Sequence, residues 1–184
     1  MRAALCLAAF LAAGVAAAQA PTQDYAVVQQ LMRDGRAAQA LAHAQQYLEA
    51  NPRDPQMRFL RGVVLAETGR TAEAIEAYTR LTQDYPELPE PYNNLAVLFA
   101  AQDELDKART ALEMALRANP QYAAAHANLG DIHLRLAVRS YQRAAQLEPS
   151  NAALPSRLAA VRALVGAAPP PVQREGRAAP PSSP

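Results

Sequence analysis

Three prolines, Pro52, Pro86 and Pro120, stand 34 residues apart along the chain. A fixed period of this size constrains the fold more than composition does. A unit of 34 residues cannot bury its own apolar face, so it must stack on copies of itself. Written in rows of 34, other columns fall into line. Small residues recur at Val28, Gly62, Ala96 and Gly130, turn-forming residues at Gly35, Gly69 and Asp103, and alanine at Ala40, Ala74 and Ala108.

Each column has a physical reason. The first half of a row carries an apolar helical stripe, as in Leu60, Val63, Val64 and Ala66. In "ETGRT" the glycine ends one helix, and Thr71 is expected to cap the next. The second half, "AEAIEAYTRLTQDYP", is another amphipathic helix that proline stops. Asp54 before Pro55 reads as an N-cap followed by proline at the first helical position. Gly62 and Ala74 let the two helices of one row approach closely. Abundant alanine, few aromatics and no tryptophan favour close-packed helices over a sheet.

The stretches "NNLAVLF" (93–99), "GRTAEAIEAYTRL" (69–81), "ALRANP" (115–120) and "HANLGD" (126–131) resemble tetratricopeptide (TPR) repeats. The resemblance covers about residues 22–151. Row one departs from it, with Asp24 in an aromatic column and Tyr47 in an alanine column. Rows two and four also lack the aromatic, having Arg58 and His126 there. The resemblance implies an all-α solenoid of about 3.5–4 helix-turn-helix repeats, wound as a short right-handed superhelix. Residues 21–54, 55–88 and 89–122 would form repeats one to three, and residues 123–150 a degenerate fourth.

The fourth row is short. Its proline, Pro149, comes five residues before the period requires it. Register holds from Gly130 to Leu136, and again counting back from Pro149 to Ala137, so the loss removes the turn between the two helices. No glycine, proline or capping residue replaces it. The stripe Leu129, Ile132, Leu136, Ser140, Tyr141, Ala144, Leu147 passes through without a phase break. One continuous helix is expected from about Ala124 to Leu147, roughly 36 Å long, with a tight two-residue turn that restores the hairpin as the alternative. Residues 151–166 then form a capping helix, with Leu154, Leu158, Val161 and Val165 on one side.

Both ends differ from the repeats. "MRAALCLAAFLAAGVAAA" (1–18) has the basic start, apolar run and small residues of a signal peptide, with residue 20 as an alternative end. It contains the only cysteine, Cys6, so the exported chain would have no thiol chemistry. Residues 167–184 are proline-rich and expected to stay disordered, with a PxxP-type ligand role as the alternative. Export with this composition points to the periplasm of a Gram-negative bacterium, with no membrane insertion after the signal is removed. A formal net charge of +1 gives no reason to expect nucleic acid.

No catalytic constellation is present. There is no nucleophile elbow and no phosphate loop. His43, His126 and His133 show no i, i+4 pair, and the columns of the last two are expected to face the helix packing. Neither enzymatic activity, metal nor cofactor is expected. The resemblance instead implies a concave groove that holds a peptide. Its columns place Phe59, Val63, Glu67, Asn93, Asn94, Val97, Asn128, Asp131 and Arg135 there. Phe59, Val63 and Val97 would make an apolar floor, with Glu67, Asp131 and Arg135 at the rim. Asn94 and Asn128 share a column that such proteins use to bond a peptide backbone, although local capping or a solvent-facing amide would serve as well. The carboxylate clamp of chaperone-binding TPR domains is missing. The function expected is a non-catalytic adaptor or scaffold of the cell envelope, taking an apolar or amphipathic protein segment. A self-associating structural protein, a homodimer through the long helix of row four, is the second reading. A metal-dependent hydrolase is a third, which nothing in the sequence asks for.

Overall fold

The computed structural model of the chain describes residues 21–167 and residue 171. The expected signal peptide, Cys6 and nearly all of the proline-rich tail lie outside the described residues. Among the described residues eight helices follow one another: α1 (Pro21–Arg33), α2 (Ala37–Ala50), α3 (Pro55–Glu67), α4 (Thr71–Asp84), α5 (Pro89–Ala101), α6 (Leu105–Ala118), α7 (Ala123–Leu147) and α8 (Ala153–Ala167). Among the described residues there is no strand. Helices pair as α1–α2, α3–α4 and α5–α6, and each pair packs on the next. First helices also touch along one side of the stack, α1 against α3 and α5 against α7. This is the stacked hairpin solenoid that the 34-residue period requires.

The turns inside the first three hairpins share one construction. Gly35, Gly69 and Asp103 have φ of 71°, 73° and 60°, in the left-handed region. Behind them, the N–H groups of Arg36, Arg70 and Glu104 reach back to the carbonyls of Leu31, Leu65 and Phe99 at 2.8, 2.9 and 2.9 Å. These are the long hydrogen bonds of a Schellman ending, which satisfy carbonyls the helix leaves open. Asp54 caps α3 as expected, accepting from the Met57 N–H at 2.9 Å with Pro55 behind it. Thr71 does not cap α4. It is the first helical residue, and Arg70 at the N-cap position offers no side-chain bond.

The fourth row has no such turn. α7 runs unbroken for 25 residues across the place where the five residues are missing. Two arginines tie it to the turn of the preceding repeat. Arg135 donates to the Ala100 carbonyl at 2.9 Å and to Asp103 at 3.0 Å, and Arg139 donates to the Asp103 carbonyl at 3.1 Å. The helix α8 folds back along α7, with Leu154 buried and Leu158, Val161 and Val165 half-buried. The expected stripe on α7 is buried only in its first half. Ile132 is in the core, Leu129 and Leu136 pack on it, and Leu147 at the far end is 65% exposed.

The core is centred on α5, where residues 91–98 are all buried. Asn93 is fully buried, and Asn94 and Asn128 nearly so. They form a polar chain through the packing. The Asn128 amide donates to Asn93 at 2.8 Å, the Asn93 amide to Asn94 at 3.5 Å, and the Asn94 amide to the Tyr78 hydroxyl at 3.0 Å. Mutual bonding is what makes three buried amides tolerable there. Burial, only partly offset by the Asn94 amide, pushes the Tyr78 phenol to ionise well above its usual range.

Candidate functional site

A groove of about 280 Å³ opens between α5 and α7 on the side where first helices face each other. Its α5 wall is Ala96, Val97 and Ala100, with Leu112 of α6 behind, and its α7 wall is Asn128, Asp131, Ile132, Leu134 and Arg135. Val165 of α8 and Pro171 close the remaining side. The α5 wall is apolar because it carries alanine and valine where a longer side chain would fill the space. Leu134 is half-buried and stands outside the core cluster, so it presents apolar surface to the groove.

Four of the nine residues expected at the site meet here: Val97, Asn128, Asp131 and Arg135. Their chemistry differs. Arg135 is engaged with Ala100 and Asp103 and so serves to hold α7 against α5. Asp131 is half-buried and makes no hydrogen bond or ion pair with any other described residue. A carboxylate among apolar walls, without a partner from the fold, favours a cation or a donor on whatever enters.

The other five residues do not line this groove. Phe59 is 6% exposed, with its ring 5.6 Å from that of Tyr78, so it belongs to the core of repeat two. Asn93 and Asn94 are spent in the buried amide chain, and Asn94 neither caps a helix nor faces solvent. Val63 is half-buried against the core, and Glu67 is exposed further along the stack. The α8 side of the groove, Val165 and Pro171, was not foreseen as part of the site. The only sequence signal was Val165 on the packing stripe of the capping helix.

The histidines stand apart from the groove. His126 and His133 are exposed rather than turned into the packing, and His126 bonds the Pro120 carbonyl at 2.9 Å. His43 lies 2.9 Å from Asp24, whose carboxylate replaces the missing aromatic of row one. Among the described residues, no three His, Cys, Asp or Glu side chains gather to hold a metal ion. None of the described helices is long and apolar enough to cross a membrane.

Row one has a polar cluster of its own. Asp54 accepts from the hydroxyls of Tyr25 and Tyr47 at 2.5 and 2.8 Å while it caps α3. The two rings meet edge to face, 6.0 Å apart. Burial first, then the bond to Asp54, raises the ionisation of both phenols. Tyr47, the departure from the alanine column, thus joins repeat one to repeat two.

Comparison with known proteins agrees with this geometry. Two sequence profiles described as tetratricopeptide repeat match residues 25–89 and 65–132, so together they span more than half of the chain. The TPR repeat-containing thioredoxin TTL4 of Arabidopsis thaliana is 37% identical over 75 residues, covering 41% of this chain and 11% of that protein. The chain therefore spans only a small part of that relative. A thermophilic TPR protein of Thermus thermophilus superposes with a TM-score of 0.58 at 24% identity, over 80% of this chain and 84% of its own. MamA of Desulfovibrio magneticus superposes with a TM-score of 0.56 at 20% identity, over 78% and 84%. At these identities the superpositions speak for the fold. With these repeat profiles spanning the stacked hairpins, this protein belongs to the tetratricopeptide repeat family.

Proposed function

We propose that this chain is a non-catalytic adaptor or scaffold of the bacterial cell envelope, which holds an apolar or amphipathic segment of a partner protein in the α5–α7 groove. Tetratricopeptide repeat proteins generally mediate protein–protein interaction. The observation that carries the reading is the groove itself: apolar walls with one unpaired carboxylate, on the side where first helices meet. Support for the address is the sequence of residues 1–18, with the layout of a secretory signal.

The test uses Leu134→Glu, which places a charge in the groove wall without touching the core cluster. Crosslinking in the native envelope should capture a defined partner with the parent chain, and at least about tenfold less with the variant, at unchanged helical circular dichroism. Equal capture by both would reject the groove as the binding site. Glutamate at Phe59 is unsuitable for this test, because that ring lies in the core.

Self-association is the second reading, and the 65% exposure of Leu147 at the end of α7 favours it. Light scattering across a hundredfold dilution distinguishes the two, since an obligate dimer shows no monomer.

A further inference from the structure

The groove between α5 and α7 is bordered by a residue from outside the helices. Pro171 lines it together with Val97, Ala100 and Ile132. This proline lies four residues beyond the end of α8, and the sequence continues "VQREGRAAPPSSP". Pro171, the described residue of the segment that follows the capping helix, therefore lies at the groove. Asp131 lines the same groove and has no partner among the described residues. Three residues after Pro171 comes Arg174, and an extended proline-type backbone covers that span in about 9 Å. An arginine side chain adds several more, enough to bring a guanidinium to a carboxylate on the opposite wall.

We propose that the chain's own proline-rich C-terminal segment is the resident occupant of the α5–α7 groove, with Pro171 against its apolar walls and Arg174 paired with Asp131. Proline suits the role because its backbone angle is already fixed, so little conformational freedom is lost on docking. The apolar part of the lining is methyl groups of alanine, valine and isoleucine, which accept a pyrrolidine ring without demanding hydrogen bonds. A tether of a few residues gives the segment a high effective concentration at the groove. A partner must displace it, so the segment sets a threshold for binding. This rests on the reading of the same groove as a peptide site.

Limited trypsin digestion of the full chain tests the proposal, followed by mass spectrometry at early times. Free peptide of residues 168–184 gives the reference rate of cleavage after Arg174. In the full chain that cleavage should be at least about tenfold slower, because a docked segment must leave the groove to be cut. Asp131→Asn, which removes no bond from the fold, should return the rate most of the way to that of the peptide. Cleavage after Arg36, in an exposed turn far from the groove, should not change. Protection should be independent of protein concentration and weaken with salt.

Cleavage after Arg174 at the peptide's rate would overturn the proposal. Protection indifferent to Asp131→Asn would overturn the pairing, and protection lost on dilution would assign the groove to the segment of a second copy. The adaptor reading fails separately. Partner capture that depends on Leu134, with no protection of Arg174, rejects the resident segment alone. Protection of Arg174 with no captured partner rejects the adaptor.

Discussion

A β-carbon on Gly62 would lie 2.5 Å from Cε1 of Tyr78 and 2.8 Å from its Cζ. The Tyr78 ring cannot move aside, since it is fully buried, packed on Phe59 and bonded to Asn94. Gly62→Ala should therefore destabilise the chain by about 1–3 kcal/mol, as overpacking of a closed core does, and urea unfolding followed by circular dichroism measures it. A change within about 0.5 kcal/mol would mean that the ring has room. The column of small residues was legible in the sequence, but its counterpart was not. The same two columns hold Val28 with Ala44 and Ala96 with Leu112, all buried, so bulk on one helix varies against bulk on the other. This explains why Phe59 and Asn94 were misplaced. A column states which face of a helix a residue occupies, whereas the neighbouring row decides whether that face is covered. Tyr25 and Tyr47 carry a second consequence at this scale. Their phenols ionise at higher pH in the folded chain than the usual value of about 10 for an unfolded tyrosine. The stability they contribute is thus complete below about pH 10 and lost as the pH rises beyond it, because the unfolded chain then releases protons that the folded one keeps. Melting temperatures should fall from pH 9.5 to 11 (approximate limits), and Tyr47→Phe should flatten that fall. A parallel fall in both proteins would exclude Tyr47 as a cause.

The helix α7 shows what a local deletion does to a repeat. In rows one to three a residue with positive φ ends the first helix and exposes carbonyls that the Schellman bonds recover. Without that residue, breaking the helix near Leu136 would leave about four carbonyls open with nothing to replace their bonds. Continuation is therefore the lower-energy course, and the sequence made this readable through the missing residues and the unbroken stripe. The direction of the far half was not readable. It depends on Arg135 and Arg139 reaching Asp103, contacts 32 and 36 residues away that no local pattern announces. Arg135→Ala should cost about 1 kcal/mol, since it removes charge-assisted bonds at a partly exposed site. Backbone chemical shifts across Leu136 to Arg139 should stay helical in that variant, because the helix is continuous on its own account. A non-helical break there, in either protein, would contradict the single helix.

Across the whole molecule, burial is uneven in a way that follows from the stacking. A repeat in the middle is covered on both sides, whereas a terminal unit is covered on one. In α5, residues 91–98 are all buried, while Leu154 is the single buried residue of α8 and Leu164 there is 56% exposed. The number of repeats could be read from the period, because periodicity is a property of the chain, and the capping helix from its own apolar stripe. The groove could be read only in part, because its third side comes from α8 and Pro171, which lie outside the period. The same unevenness orders the opening of the structure. Regions with few buried apolar contacts unfold locally at low free energy, and in a solenoid they can do so without releasing the centre. Native-state hydrogen exchange should therefore be slowest in α5 and α6 and fastest in α8, with the first half of α7 slower than its second half. Docking of the C-terminal segment would add its own signature, slowing the last turn of α8 in the parent chain relative to Asp131→Asn. If α8 exchanged as slowly as α5, the stack would be opening as one unit, and the capping helix would be integral to the core rather than a cover over its end.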